Sequence, residues 1–214
     1  FTVIGRRIVF LLQQKETIRM TNYNRNIVNN QMASPPVTLI RGAIILSMDE
    51  SVGNIERGDI LINGSVITAV GQNLDAPGAH IIDAKNMIAM PGMVDSHRHA
   101  WEGQLRRLNP NATCLDDYSN ATHFSFAKYY RPEDIYVGNL LTALGAIDAG
   151  ITTMIDNSHN SRTAAHSDAA VEALLDSGIR AIHASGSPVA GELDKSHWTC
   201  NWQRLQEKYF RDNP

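Results

Sequence analysis

A regular alternation of strand and helix patterns in the second half of the 214-residue chain constrains its fold more than any other feature. Runs rich in β-branched and apolar residues predict three strands, at 87–97, 151–156 and 179–185. Helical patterns follow them at 131–150, 167–178 and 201–210. Because such alternation is typical of βαβ units, we expect a parallel sheet covered by helices.

The ends of two of these helices carry their own signals. Pro132 lies in the first turn of the first helix, and Gly150 follows its last turn. Ser167 is the predicted N-cap of the second helix, and Gly178 is its predicted stop.

Residues 37–88 follow a different pattern, of short β-branched runs separated by turn residues. Asn63-Gly64 between two such runs is a strong hairpin signal. We therefore predict a small antiparallel sheet that is too thin to be stable alone. Residues 1–33 carry no such pattern, and we interpret them as a disordered or artefactual extension, with Met32 as the biological start. The predicted domains are accordingly this extension at 1–33, the β unit at 34–90 and the α/β unit at 91–214.

The segment "AMPGMVDSHRHAWEG" carries the clearest chemical signal in the sequence. Alternate residues of a strand share a face, so Asp95, His97 and His99 are predicted to point one way and Arg98 the other. Two imidazoles at this spacing reach one metal ion, and they lie at the carboxyl end of a strand, where parallel α/β barrels carry their chemistry. The spacing alone favours the plainer interpretation of satisfied polar residues at a strand end, because His-x-His by itself is a common pattern.

Composition and the remaining motifs exclude several classes of function. The net charge of −3 gives no basic surface for nucleic acid or anionic membranes, and no apolar run reaches the ~20 residues of a membrane helix. Cys114 and Cys200 are too few and too far apart for a structural zinc site or a disulfide framework, which favours a reducing, cytoplasmic location. The HExxH pattern of zinc proteases is absent from the sequence.

The order of these features resembles the amidohydrolase superfamily. The β unit is followed by the Pro-Gly-x-x-Asp-x-His-x-His segment and then by "DAGITTMID", and this resembles the branch that contains cytosine and guanine deaminases and triazine chlorohydrolases. The resemblance covers only the N-terminal half of such proteins. It implies an α/β fold: a partial (β/α)8 TIM-type barrel, of about the first three βα units, preceded by a small partial β-sandwich.

The resemblance also implies a chemistry. His97 and His99 correspond to the first two ligands of a divalent metal, most often zinc, with iron as the alternative. In that family the other ligands, two His and an Asp, come from later strands, as does a Glu that carries protons, so no catalytic residue is assigned within this chain. The implied reaction is attack by metal-activated hydroxide on a small molecule, a planar nitrogen heterocycle. A homo-oligomer is a further expectation.

Three residues near the carboxyl ends of the predicted strands are candidate substrate contacts. Trp101 and Glu102 follow the histidines, and His159 follows the second strand. For Trp101, packing within the loop is an equally good interpretation. For His159, the alternative to a substrate contact is a solvated polar residue. Asp156 is predicted either to hydrogen-bond near the site or to cap a turn, and His183 to be a core histidine with a hydrogen-bond partner. His123 and His166 carry no signal.

Three interpretations of the whole chain remain open. It is a fragment of a longer hydrolase, a catalytically inactive remnant that acts as a binding or interaction module, or one chain of a split barrel. Because two histidines alone do not make a catalytic zinc site, we expect the 214-residue chain by itself to be inactive.

Overall fold

The computed structural model describes residues 7–11, 37–195 and 201–210. These residues fall into two compact units, Phe1–Gly92 and Met93–Pro214. The three domains expected from the sequence, with their boundaries and the artefactual status of residues 1–33, stay predictions.

The first unit is a six-stranded sheet in which the strands run in both directions. Its strands are β1 (Arg7–Leu11), β2 (Val37–Leu46), β3 (Asn54–Asn63), β4 (Val66–Gly71), β5 (His80–Asp83) and β6 (Met87–Pro91). The pairs β2–β3 and β3–β4 are antiparallel, whereas β5 and β6 both pair in parallel with β2. The prediction of a purely antiparallel sheet is therefore wrong, because the chain crosses back after β4 and places two short strands along the free edge of β2.

The predicted hairpin is confirmed. Asn63 pairs with Val66 across a two-residue turn, and Gly64 has a φ of 59°, in the left-handed region that a glycine adopts without a steric penalty. Buried aliphatic residues of β2, β3 and β6 form the core of this unit, among them Ile40, Ile60 and Ala89.

Strand β1 lies within the stretch predicted to be a poorly ordered extension. Its five residues pair in parallel with Met87–Pro91, so the prediction of disorder is wrong for Arg7–Leu11. The run "RIVFL" has the β-branched and apolar residues that favour a strand, and β6 provides an edge for it. The rest of the predicted extension lies outside the described residues.

The second unit contains a parallel sheet in the order β7-β8-β9. Its strands are β7 (Met93–Arg98), β8 (Ile151–Ser158) and β9 (Arg180–Ser185). Its helices are α1 (Leu115–Ser119), α2 (Pro132–Asp148), α3 (Ala164–Ser177) and α4 (Asn201–Tyr209). Helix α2 connects β7 to β8 and α3 connects β8 to β9, so the predicted alternation is confirmed and the fold is α/β.

Helix α2 begins as predicted, at Pro132. The Asp134 carboxylate accepts the Arg131 backbone N–H at 2.9 Å and so closes the first turn. In α3 the predicted N-cap is wrong: Thr163 precedes the helix, and Ser167 is fully buried within it. The helix begins a turn early because Ala164-Ala165 are good helix formers. The predicted stop at Gly178 is confirmed, with a φ of 75°.

The long connection between β7 and α2 consists of short helical segments. They are a 3-10 helix at Ala100–Leu105, helix α1, a π-helix at Asn120–Phe124 and a 3-10 turn at Ala127–Tyr129. Small buried residues such as Ala100, Ala143 and Ala146 let α2 lie close to β8, where Met154 is fully buried. In the part of the chain that the structure describes, no helix is both long and apolar enough to cross a membrane.

Candidate functional site

His97 and His99 lie where β7 ends. The strand stops at Arg98, and His99, with φ −95° and ψ 80°, leads into the 3-10 helix. The Nε2 atoms of the two histidines are 3.0 Å apart, and their rings are nearly perpendicular. Two Zn–N bonds of ~2.05 Å at a tetrahedral angle would hold two nitrogens about 3.3 Å apart, so this pair can bind one metal ion with little adjustment.

Asp95 does not join the two histidines as the strand alternation predicts. Its Oδ2 atom accepts hydrogen bonds from the Arg98 guanidinium, with the Nη2 atom at 2.5 Å and the Nε atom at 2.7 Å. Its Oδ1 atom accepts the His97 backbone N–H at 3.2 Å. The pairing of β7 with β8 is irregular between Asp95 and Arg98, and this irregularity brings together two side chains that a regular strand would separate.

His159 approaches this pair from the next strand. It directly follows β8, and its Nδ1 atom lies 2.8 Å from the Nδ1 atom of His99 and 3.1 Å from the Asn157 carbonyl oxygen. The structure thus brings together three histidines from the carboxyl ends of two neighbouring parallel strands. This is the edge of the sheet where the sequence predicts the site.

Glu102 completes a second set of possible metal ligands. Its Oε1 atom accepts a hydrogen bond from the Tyr118 hydroxyl at 2.5 Å and lies 3.9 Å from the His159 Nε2 atom. One ligand atom each from His99, Glu102 and His159 lies within 4.8 Å of the others, among the residues that the structure describes. Both Glu102 and His159 therefore lie in contact range of the predicted metal ligands.

Burial sets the protonation of these groups. It lowers the pKa of His99, His123 and His159, and neighbouring imidazoles add to the effect. Burial also raises the pKa of the Glu102 carboxyl, against the opposing hydrogen bond from Tyr118. The histidines are therefore held in the neutral form, which is the form that binds metal ions.

Trp101 is fully buried next to the cluster. Its ring contacts the rings of His123, Tyr130 and His159, with centroids 5.3–5.7 Å apart. In this arrangement the indole packs against the histidines, which agrees with the packing role that the sequence also allowed. A role in substrate binding stays a prediction, and it would require the ring to move.

His123 is a member of the cluster that the sequence did not indicate. It lies in the π-helix, is 6% exposed, and packs edge-to-face against Tyr118 and His159, with ring centroids 5.2 and 4.8 Å apart. No periodic pattern surrounds it, since a π-helical turn brings together residues five apart, such as Tyr118 and His123. That spacing has no common sequence signature.

Asp156 connects the elements beneath the cluster. It is completely buried in β8, and its carboxylate accepts the Ala100 backbone N–H at 3.3 Å and the Asn139 side-chain N–H at 3.1 Å. His183 of β9 lies 3.2 Å from the same carboxylate through its Nδ1 atom. Of the two roles predicted for Asp156, hydrogen bonding near the site is therefore the observed one. The prediction of a hydrogen-bonded core histidine is confirmed for His183.

Comparisons with known proteins give a consistent set of relatives. No protein-family model matches the chain. It is 33% identical over 123 residues to a 5-methylthioadenosine/S-adenosylhomocysteine deaminase of Syntrophus aciditrophicus, which covers 56% of this chain and 28% of the relative. It is 28% identical over 148 residues to a 5′-deoxyadenosine deaminase of Methanosarcina acetivorans, which covers 69% of this chain and 33% of the relative.

Solved structures point the same way. An atrazine chlorohydrolase from Arthrobacter aurescens, determined with zinc, superimposes with a TM-score of 0.72 at 26% identity over 83% of this chain. A triazine hydrolase structure gives a TM-score of 0.70 at 26% identity over 84% of this chain. The chain spans about a third of the length of the curated relatives and 44% of these two structures.

Proposed function

Because this chain belongs to the amidohydrolase superfamily, we propose that it is part of a metal-dependent hydrolase that acts on non-peptide carbon–nitrogen bonds. The reaction is of the deaminase or amidohydrolase type, on small planar nitrogen heterocycles. The observation that carries this proposal is the convergence of His97 and His99 at the carboxyl end of β7, with Nε2 atoms 3.0 Å apart.

The proposed fold follows from the same membership. The parallel strands β7, β8 and β9, with α2 and α3 as connections, correspond to about the first three βα units of a (β/α)8 barrel. The sheet of the first unit corresponds to part of a β-sandwich. The similarity to the chlorohydrolase supports this assignment, at a TM-score of 0.72.

His97 and His99 are the proposed protein ligands of a divalent metal, for which zinc fits best and iron is the alternative. Their imidazoles present two nitrogens at a spacing that one ion bridges. When bound, the metal would lower the pKa of a water molecule and so supply, at neutral pH, the hydroxide that attacks a ring carbon. Further ligands and the proton-carrying Glu are expected from parts of the protein that correspond to later barrel strands.

Glu102 and His159 are the proposed substrate contacts. The partly buried Glu102 carboxyl, held by the Tyr118 hydroxyl, faces the His159 imidazole at 3.9 Å. Both groups therefore offer hydrogen bonds to the polar edge of a flat heterocycle beside the metal-binding pair. Trp101 supports the site as a packing residue, and takes part in binding only if the ring turns outward.

The substrates named for the relatives support this class. The relatives are named for adenosine derivatives, and the structural neighbours for triazines, and both groups of compounds are planar nitrogen heterocycles. The proposal includes no nucleic-acid or membrane partner, a cytoplasmic location and a possible homo-oligomer.

The test uses the protein expressed from its complete reading frame and loaded with zinc. We expect release of ammonia, an amine or halide from a panel of purines, pterins and triazines. His97→Ala and His99→Ala should each abolish metal retention and turnover, as measured by mass spectrometry of bound metal and by product release. The matched control is His80→Ala, at an exposed histidine of β5, which should keep both.

Three results would contradict the proposal. Full zinc occupancy in the double variant His97→Ala/His99→Ala would exclude these histidines as ligands. Activity confined to peptides or phosphate esters would exclude the reaction class. A folded protein that binds heterocycles without metal and without turnover would identify it as a binding module instead.

A further inference from the structure

His123 occupies a position in the cluster that packing alone does not explain. Its imidazole is 6% exposed and lies among the rings of Trp101, Tyr118 and His159. The centroids of His123 and His159 are 4.8 Å apart, and those of His159 and His99 are 4.4 Å apart. His123 is therefore separated from His99, one of the proposed metal ligands, by the ring of His159.

The local backbone is unusual as well. His123 belongs to the π-helix Asn120–Phe124, which directly continues α1. A π-helical turn is costly, and such turns occur frequently at functional sites because they redirect a side chain. Here the turn buries a polar imidazole among aromatic rings, a position that an apolar residue would fill without a desolvation cost.

The hydrogen bonding of His123 sets it apart from the other histidines of the cluster. His97, His99 and His159 each have a nitrogen within 3.1 Å of a polar atom. Among the described residues, no hydrogen bond is formed by either ring nitrogen of His123. The Nε1 atom of the adjacent Trp101 is buried without a partner, whereas the ring nitrogens of His123 are not among the buried unpartnered atoms. The unused nitrogens of these two side chains give this side of the cluster hydrogen-bonding capacity that a ligand can use.

We propose that His123 is a specificity-determining residue, whose imidazole hydrogen-bonds a hydroxyl or amino substituent of the heterocyclic substrate away from its reacting carbon. This inference rests on the proposed function. It adds which part of the substrate the site recognises, a hydroxyl or amino substituent. An imidazole offers one donor and one acceptor, so it fits either substituent. A site built to hydrogen-bond such a group binds an analogue that lacks it less well, because the hydrogen bond to the imidazole is then lost.

The experiment measures kcat/KM for two matched pairs of compounds on the zinc-loaded protein from the complete reading frame. One pair is 5′-deoxyadenosine and its analogue without ribose hydroxyls. The other is diaminochlorotriazine and its N-alkylated relative atrazine. We expect the wild type to prefer the polar member of the pair that it hydrolyses. The variant His123→Leu should reduce that preference about tenfold, the value of one hydrogen bond, and His123→Asn should restore part of it.

A second readout is independent of turnover. Nitrogen NMR of the wild-type imidazoles should show the His123 signal shifting when the polar compound binds, and much less with the analogue. His80→Leu, on exposed β5, is the control and should leave the preference unchanged. This readout remains decisive if His123→Leu fails to fold, since an unchanged His123 signal would overturn the inference.

The outcomes separate the two proposals. Wild-type protein that is inert toward these four compounds and toward the whole panel of purines, pterins and triazines contradicts the proposed function, and the inference with it. Turnover with the same preference in wild type and His123→Leu overturns the inference alone. Loss of preference in His123→Leu with recovery in His123→Asn supports it, since a purely packing role would favour Leu over Asn.

Discussion

Asp156 is the residue on which the geometry beneath the cluster depends. Its carboxylate joins the turn after His99, helix α2 and strand β9 through Ala100, Asn139 and His183. A buried carboxylate is costly to desolvate, and here three partners offset that cost. The same contacts hold Ala100, the residue next to His99, at a fixed position.

Replacement of Asp156 should therefore destabilise the second unit. Asp156→Ala leaves Asn139 and His183 without their acceptor, and we expect a loss of about 2–4 kcal/mol in the free energy of unfolding. Asp156→Asn keeps one acceptor oxygen and should cost less. Urea unfolding measures both. The control Asp148→Asn, at an exposed position in α2, should change stability by less than about 0.5 kcal/mol, and an equal loss there would refute the argument.

At the scale of elements, the close approach of α2 to the 3-10 helix fixes the cluster. A Cβ atom on Gly138 would lie 3.0 Å from the Trp101 carbonyl carbon and closer still to its oxygen. Backbone atoms cannot give way as a flexible side chain can. Gly138 is therefore required for the contact between α2 and the segment that carries Trp101 and Glu102.

Two glycines of the same helix provide a matched test of this contact. Gly138→Ala should destabilise by about 1–3 kcal/mol through the clash with Trp101. Gly145→Ala meets nothing within 4 Å and should stabilise by about 0.4–1 kcal/mol, because alanine restricts the unfolded chain. Thermal unfolding of the two variants checks the signs, and two changes of the same sign would contradict the structure.

The contact between α3 and α4 is electrostatic and should depend on pH. Burial favours the neutral form of Asp168, but hydrogen bonds from Lys208 and Arg204 outweigh it and hold the pKa of the carboxyl below its ordinary value. A depressed folded-state pKa adds stability above the unfolded value of ~3.9, and that stability is lost as the pH falls through the folded value.

Asp168→Asn should therefore be less stable than the wild type at pH 7, and the difference should shrink as the pH falls below about 4. Chemical unfolding of both proteins between neutral and acid pH measures this difference. Asp148→Asn, at an exposed position in α2, serves as the comparison. A difference that stays constant with pH would show that the ion pairs contribute nothing measurable.

At the scale of the whole molecule, the second unit presents an uncovered apolar face. Val137, Leu141 and Leu144 lie on one side of α2 and are each 50–53% exposed. Residues three and four apart share a helix face, so these side chains form one stripe. Contiguous apolar surface of this kind promotes association.

We expect the 214-residue chain to associate in a concentration-dependent way through this stripe. The double variant Leu141→Gln/Leu144→Gln should reduce the association, as measured by sedimentation velocity, and change the unfolding free energy little, because both side chains are already half exposed. Leu175→Gln on α3 is the control. A wild-type chain that stays monomeric at all concentrations would contradict the expectation.

The sequence by itself determined the type of the strands β2 to β9, of the helices α2, α3 and α4, and the position of the histidine pair, but not the strand β1 or the short helical segments between β7 and α2. Local signals suffice for this: β-branched runs, Asn63-Gly64, Pro132 and Gly178 act through near neighbours in the chain. The start of α3 was predicted wrongly at Ser167. Ser167 is a good capping residue, but Ala164 and Ala165 favour the helical conformation and the helix begins before it. The parallel direction of β5 and β6 was not predicted. It depends on which strand they pair with, and that strand, β2, is distant in the sequence.

Only the tertiary structure decided which polar side chains meet. His159 lies 60 residues from His99 in sequence and 2.8 Å from it in space, because parallel strands end at one edge of the sheet. The turn of Asp95 toward Arg98 depends on an irregularity between paired strands, and the approach of His123 depends on a π-helical turn. The contacts of His159 and Asp95 have no local sequence pattern, since they depend on how neighbouring strands pair, and the π-helical turn at His123 has no common sequence signature.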